Sequence, residues 1–448
     1  MDFVQIVTHV DRNGVTIVEP KFIVNRRSSD LMTRGKSFYC VWNEETNEWT
    51  TDETVVADSI DKQIQEVYKK ETEKGNPARM IFMRDFSTRK WIEWQTYYKS
   101  LPDKYSKLNN KILFADQKMK RSDYATKTLP YSLSDGTISN YDHLMSTLYS
   151  EEERRKIEWA IGSIFTGDSK KIQKFLVLYG DAGSGKSTVL NIIEDLFEGY
   201  WAPFNAKDIC SSRNQFPLEV FQSNPLVGIQ HDGDLSRIED NTIFNSLVSH
   251  EMIPMNVKHK SIYHEKFDAF LFMGTNSPVK ITDSKSGISR RLIVVHPSGN
   301  TLKANDYNKT VKGVKTELGA IAKHCISVYN ELGPHFYDSY RPIDMYEETN
   351  DFYNFMSEMY DIFKDGVTLN NAWKAYKDYC EEAKVPYPYS KRVFTTELKS
   401  YFQFYDKQKW LPSGVNATNY FSGLIDKKFG KTETVVEAKE IVDIPEWL

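Results

Sequence analysis

The stretch FLVLYGDAGSGKSTVLNIIEDLF, Phe175 to Phe197, decides the fold class. Phe175–Tyr179 is a short apolar run with the length of a buried strand. Gly180, Asp181, Ala182, Gly183, Ser184, Gly185, Lys186, Ser187 and Thr188 follow, and Gly180 through Ser187 fit G-x-x-x-x-G-K-[ST] without a mismatch. Beyond them Val189, Ile192, Ile193, Leu196 and Phe197 recur at helical spacing. Strand, glycine loop and helix in that order let backbone N–H groups close around phosphate oxygens at the positive end of a helix. Lys186 then reads as a surface-facing side chain that adds charge for the β- and γ-phosphates and little core packing. The Ser187 hydroxyl reads as a ligand for Mg²⁺. An α/β core that binds a nucleoside triphosphate with Mg²⁺ is the expectation.

Composition narrows the rest. With 448 residues, 40% hydrophobic and 27% charged, the chain has the make-up of an ordinary globular protein of about two to four domains. A net charge of −4 leaves any nucleic-acid contact to a local basic loop or channel. Cys40, Cys210, Cys325 and Cys380 stand far apart, with neither metal-knuckle nor disulfide spacing, which suits a reducing cytoplasm. No leader-like segment and no membrane-spanning apolar run appears, so a cytoplasmic protein without a membrane partner is expected.

Residues 1–55 read as β-rich: Val4, Ile6, Thr8 and Val10 alternate, Asn13-Gly14 offers a turn, and Val15 and Ile17 continue beyond it. Ser37–Trp42 and Glu48–Thr51 suggest a second hairpin. Residues 56–150 read as a mixed, mostly helical accessory region, with Val55–Glu73 its clearest amphipathic helix. Trp91, Trp94, Tyr97 and Tyr98 suit core packing better than base stacking. Ser150 and Glu153 form a capping box, and Ile157, Ala160, Ile161, Ile164 and Phe165 mark a helix, read as a lid or collar, that leads into the Phe175 strand.

Downstream, the apolar run Pro225–Ile229 ends in Gln230-His-Asp-Gly-Asp234. Asp232 or Asp234 at such a strand end could hold Mg²⁺ and polarise a water, and the same residues also suit a polar turn. Lys258, His259 and Lys260 form a basic cluster where the chain turns back towards the next strand, and a solvated turn fits them equally. Phe267–Met273 reads as a buried strand ending at Asn276, which could orient a water or sense the γ-phosphate, or form an Asn-Ser-Pro turn. Arg290 and Arg291 precede the strand Leu292–Val295 and suit either an arginine finger or plain surface charge.

Taken in order, the loop, the acidic strand end, the basic cluster, Asn276 and the arginine pair resemble the superfamily 3 helicases. The closer likeness is to the helicase module of phage, plasmid and large-DNA-virus primase–helicases, over about two-thirds of the chain. The resemblance implies a AAA+-type ring ATPase using ATP and Mg²⁺. In it Lys186 and Ser187 bind nucleotide, Ser187 and Asp232 hold the metal, Asn276 is the sensor, and Arg290 or Arg291 is a trans-acting finger. Lys258, His259 and Lys260 become a DNA-binding hairpin in the pore. Gly228, Gln230 and His231 depart from the family's cleaner run of hydrophobic residues into one or two acids, so Asp232 and Asp234 both stay open.

The implied domains are an ATPase core at 151–300, a helical connector at 301–344, a winged helix at 345–425 and a tail at 426–448, poorly ordered from 430. Helices at Asn370–Ala383 and Ser390–Ser400, followed by aromatic strand-like residues through Phe421, fit the winged helix, with Lys391 and Arg392 opening its second helix. A packing domain fits them as well. The implied activity is an ATP-dependent replicative DNA helicase or translocase, a homohexamer on single-stranded and forked DNA. The alternatives are an initiator or remodelling ring ATPase without sustained unwinding and, less compatible with the basic cluster, a small-molecule kinase. The first hundred or so residues show no carboxylate set for two-metal nucleotidyl transfer and no zinc ligands, which leaves priming to a separate primase or polymerase.

Overall fold

The computed structural model describes residues 1–23, 28–83, 89–211, 218–236, 240–255, 263–280, 287–383, 385, 387–411, 414 and 416–429. The chain divides into two compact units, one of Met1–Gly233, Glu239–Asn276 and Val294–Phe336, the other of Asp234–Ile238, Ser277–Ile293 and Tyr337–Leu448.

In the first unit, β1 (Val4–Val10) and β2 (Thr16–Phe22) pair antiparallel, Val4 facing Phe22 and Val10 facing Thr16. The turn between them is organised by Asp11 as much as by Asn13-Gly14. Its carboxylate accepts the Asn13 and Val15 N–H groups at 2.9 Å each. β3 (Leu31–Arg34), β4 (Ser37–Asn43) and β5 (Glu48–Thr50) form a second antiparallel sheet in that order. Helix α1 (Glu53–Glu73) starts at Asp52, whose side chain accepts the Thr54 N–H, and β6 (Ala78–Met80) runs parallel to β2. Helix α2 (Arg89–Ser100) carries Trp94, Tyr97 and Tyr98 into a core with Phe3, Val18, Ile60 and Ile64. Trp94 is fully buried with its ring 5.5 Å from that of Phe3, so these aromatics pack the core.

Helices α3 (Ser139–Leu148) and α4 (Glu151–Phe165) precede the central sheet. Ser150 caps α4 by accepting the Glu153 N–H. The Glu153 carboxylate does not complete the expected box. It accepts Lys156 Nζ at 2.7 Å and the His296 N–H at 2.9 Å, because the buried lysine needs a counter-charge. Then come β7 (Phe175–Tyr179), α5 (Lys186–Leu196), β8 (Trp201–Pro203), α6 (Ala206–Ile209) and β9 (Val227–Gln230). They are followed by α7 (Thr242–Val248), β10 (Met252–Met255), β11 (Tyr263–Lys266), β12 (Phe270–Thr275) and β13 (Leu292–Val295). Five of these strands form one sheet in the order β13-β7-β12-β9-β8, and β7, β12, β9 and β8 are parallel neighbours. β12 and β13 are buried throughout, the near-continuous apolar pattern of strands covered on both faces. β10 and β11 make a separate antiparallel hairpin, with Met252 facing Lys266 and Met255 facing Tyr263.

Helices α8 (Ala304–Val314) and α9 (Leu318–Leu332) complete the unit. α9 packs along α4, where Trp159 Nε1 donates to the Gly333 carbonyl at 2.9 Å. α4 is buried from Lys156 through Ile164, as a helix packed within this unit is.

The second unit contains α10 (Ile343–Thr349), α11 (Asp351–Glu358), α12 (Tyr360–Phe363) and β14 (Val367–Thr368). α13 (Leu369–Glu382), α14 (Lys391–Ser400), β15 (Phe402–Trp410) and β16 (Asn416–Leu424) follow. Thr368 and Ser390 cap α13 and α14 with their hydroxyls. The strands form an antiparallel sheet ordered β14-β16-β15. Phe352, Tyr376 and Phe394 pack the interior, with Tyr376 and Phe394 centred 4.9 Å apart. Among the described residues, no helix is long and apolar enough to cross a membrane.

Candidate functional site

β7, β9 and β12 are parallel, so their C-terminal ends share one edge of the sheet, where ligands of open α/β sheets gather. The glycine loop leaves β7 there, His231 and Asp232 follow β9, and Asn276 follows β12. Helix α5 begins directly after Gly185, whose φ is +91°. A Cβ at Gly185 would sit 2.8 Å from Leu148 Cδ2, so conformation and space both require glycine.

Lys186 is not the surface-facing side chain expected from the sequence. It is 8% exposed, and Nζ donates to the Gly180 and Asp181 carbonyls and to Asn276 Oδ1, each at 2.7 Å. The ammonium therefore closes the loop on itself and fastens it to the tip of β12. Burial lowers the Lys186 pKa below the usual lysine value, and the nearby negative charges of Asp181 and Asp232 act in the opposite direction.

Lys186, Ser187, Thr188, His231, Asp232 and Asn276 line one cleft of about 530 Å³. The Tyr307 hydroxyl, from α8, lies 3.0 Å from Thr188 Oγ1 at its side. His231 Nε2 lies 2.8 Å from Glu194 Oε1 on α5. Tyr307 and Glu194 had no signal in the sequence, because each is an ordinary polar residue of a helix until the fold brings it here. The Ser187 hydroxyl and the Asp232 carboxylate are oxygen donors suited to a hard divalent ion. Among the described residues, no group of three or more His, Cys, Asp or Glu could hold a metal alone. A metal that fits these residues is one completed by phosphate and water.

A larger cleft of about 750 Å³ includes Lys107, Lys111 and Lys171. Each of these lysines is already paired, with Asp268 at 2.6 Å, Asp123 at 3.2 Å and Asp168 at 2.6 Å respectively. Lys170 lines it as well, so its four lysines face three aspartates, and no residue of the Gly180–Ser187 loop borders it.

Asp234, Arg290 and Arg291 are not among the residues that line the first cleft. Asp234 belongs to the second unit, where its carboxylate accepts the Ser236 N–H at 2.9 Å, the role of a turn former. Arg290 and Arg291 also belong to that unit. Arg290 is exposed, whereas Arg291 is buried and donates to the Gly287 carbonyl at 2.7 Å. Lys258, His259 and Lys260 lie outside the described residues, between the paired strands β10 and β11. The tail from residue 430 lies outside them too.

Residues 178–291, from the end of β7 through Arg291, match a family of unknown function (DUF5906). No curated protein matches the chain. Among solved structures, the chain is similar to the apo NrS-1 C-terminal region (305–718), at 12% identity and a TM-score of 0.39, covering 66% of this chain and 78% of that one. It is also similar to a JCV helicase bound to an acetamide compound, at 14% identity and a TM-score of 0.25, covering 44% and 57%.

Proposed function

We propose that the chain binds and hydrolyses ATP in the cleft at Lys186 and uses the cycle to move along single-stranded DNA. In this reading it is a AAA+-type ring ATPase of the superfamily 3 kind. The observation that carries the nucleotide reading is the bond from Lys186 Nζ to Asn276 Oδ1 at 2.7 Å, which joins two motif residues 90 positions apart in one cleft. The strand order gives further support, since it sets the loop strand β7 directly beside β12, the strand that ends at Asn276.

The residues then take distinct roles. Backbone N–H groups of Gly183 to Thr188 surround the phosphates, and Lys186 exchanges loop carbonyls for phosphate oxygens. Ser187 and Asp232 would hold Mg²⁺ together with the phosphates, where the ion would supply positive charge for phosphoryl transfer. Asp232 also polarises the attacking water, and Asn276 responds to the γ-phosphate. Arg290, the exposed member of the pair, is the finger offered to a neighbouring subunit, while Arg291 anchors its own turn. Lys258, His259 and Lys260, between β10 and β11, grip single-stranded DNA in a homohexameric pore through phosphate contacts with little base preference.

The proposed division of the chain keeps an ATPase core at 151–300 and a winged helix at 345–425. A second reading, an initiator that grips duplex DNA without sustained unwinding, is favoured by one observation. α13, α14 and the β15–β16 hairpin follow one another as helix, helix and wing, with Lys391 and Arg392 exposed in the first turn of α14. Strand displacement on a forked duplex with ATP separates the two. A translocase displaces the strand, whereas an initiator binds the fork and leaves it paired.

A further inference from the structure

We propose that His231, oriented by Glu194, is a nitrogen ligand of the divalent ion that enters with the nucleotide. The cleft then takes Mn²⁺-class ions at least as readily as Mg²⁺. The inference rests on the nucleotide-binding reading of this cleft and goes beyond it by naming a ligand and a metal class.

The backbone fixes where His231 stands. The Gly233 N–H donates to the Gly274 carbonyl at 2.7 Å, so the turn after β9 is pinned to β12. A Cβ on Gly274 would come within 2.7 Å of the His231 carbonyl oxygen, so the two backbones approach as closely as a bare glycine allows. His231 cannot slide along the edge, and it lines the same cleft as Ser187 and Asp232.

The side chain is fixed as well. Glu194 lies seven residues after Ser187 on α5, which puts both on one helical face. A carboxylate only accepts, so the 2.8 Å contact to Glu194 Oε1 places the proton of a neutral imidazole on His231 Nε2. In that neutral tautomer Nδ1 carries the lone pair, and it makes no hydrogen bond of its own among the described residues. A carboxylate that fixes tautomer and ring orientation is the usual support for a metal-binding histidine. Imidazole suits transition metals, whereas Mg²⁺ prefers an all-oxygen shell and gives up water reluctantly. A histidine in the cleft that Ser187 and Asp232 also line, where an all-oxygen site would carry another acid, shifts the preference towards Mn²⁺.

Pulsed electron paramagnetic resonance on the full chain with Mn²⁺ and a non-hydrolysable ATP analogue tests this directly. The parent should show a nitrogen hyperfine coupling that changes when only histidine is labelled with the heavy nitrogen isotope. His231→Gln should abolish it while the analogue still binds. Glu194→Gln should keep the coupling but weaken Mn²⁺ affinity by about 10-fold or more. In calorimetric titrations His231→Gln should lower affinity for the Mn²⁺ complex about 10-fold and that for the Mg²⁺ complex by a smaller factor. A parent complex that binds the Mn²⁺–analogue pair without a histidine coupling overturns the inference and leaves the nucleotide reading intact. A parent that binds the analogue with neither metal overturns both.

Discussion

Replacing Lys186 by Ala separates two things the side chain does: it closes the loop and it meets phosphate. Its three 2.7 Å bonds, to the Gly180 and Asp181 carbonyls and Asn276 Oδ1, are charge-assisted. Such bonds contribute about 1.5–3 kcal/mol each at most. The ammonium leaves water to make them, and water entering the open cleft re-solvates both carbonyls once it is gone. The net loss is therefore about 1–3 kcal/mol. At about 2 °C per kcal/mol for a unit of this size, Tm should fall by about 2–6 °C. Lys186→Met, which keeps the stem, should lie at the small end of that range. Nucleotide separates the second role. At about 100 times its Kd, ATP stabilises a binder by about 2.7 kcal/mol, or about 5 °C here. That shift should appear in the parent and vanish in both variants, together with hydrolysis. A Lys186→Ala protein that keeps the ATP-induced shift or hydrolyses at the parental rate refutes the reasoning.

The acidic pair should divide. Asp232→Asn should still bind nucleotide by fluorescence titration but lose turnover by 100-fold or more, about 3 kcal/mol of barrier, whereas Asp234→Asn, which touches a turn, should stay within about 3-fold of the parent. Arg290→Ala should lose hydrolysis, and mixing it with Lys186→Ala subunits should restore part of the rate at hybrid interfaces. Arg291→Ala should instead lower Tm, because it strips a buried guanidinium from the Gly287 carbonyl. Glu53 gives a pH signature: burial raises its pKa, while the 2.7 Å bond from Trp94 Nε1 acts the other way. The folded state then holds the proton more tightly than the unfolded one, so stability falls as pH rises from the ordinary glutamate value through the raised one. Glu53→Gln should flatten that decline, seen as a smaller Tm difference between about pH 5 and about pH 8.

The sequence carried the local parts of this account well. Phe175–Tyr179 is a strand as read, α5 starts at the motif lysine, and Leu292–Val295 is a strand with the bounds its apolar run implies. These succeed because burial on both faces and helical periodicity leave a mark in a few consecutive residues. Non-local pairing leaves no such mark. Nothing in Phe270–Thr275 says that it will lie between β7 and β9, yet that placement sets Asn276 against Lys186. The acids show the same limit. Asp232 and Asp234 are equivalent in composition, and only the fold puts one in the cleft and the other on Ser236. Likewise Glu153 looked like half of a capping box, because the buried Lys156 and the His296 N–H that claim it are invisible locally.

The central claim is that nucleotide hydrolysis is coupled to single-stranded DNA through the segment between β10 and β11. The most direct measurement is the ATPase rate against single-stranded DNA concentration at several salt concentrations, for the parent and for the Lys258→Ala/Lys260→Ala double variant. The account predicts a rate that rises with DNA in the parent, with an affinity that falls steeply as salt increases. The double variant should keep its basal rate, respond weakly to DNA and show a flatter salt dependence, because fewer phosphates are neutralised. A parent rate indifferent to single-stranded DNA, or a double variant stimulated as strongly as the parent, would contradict it.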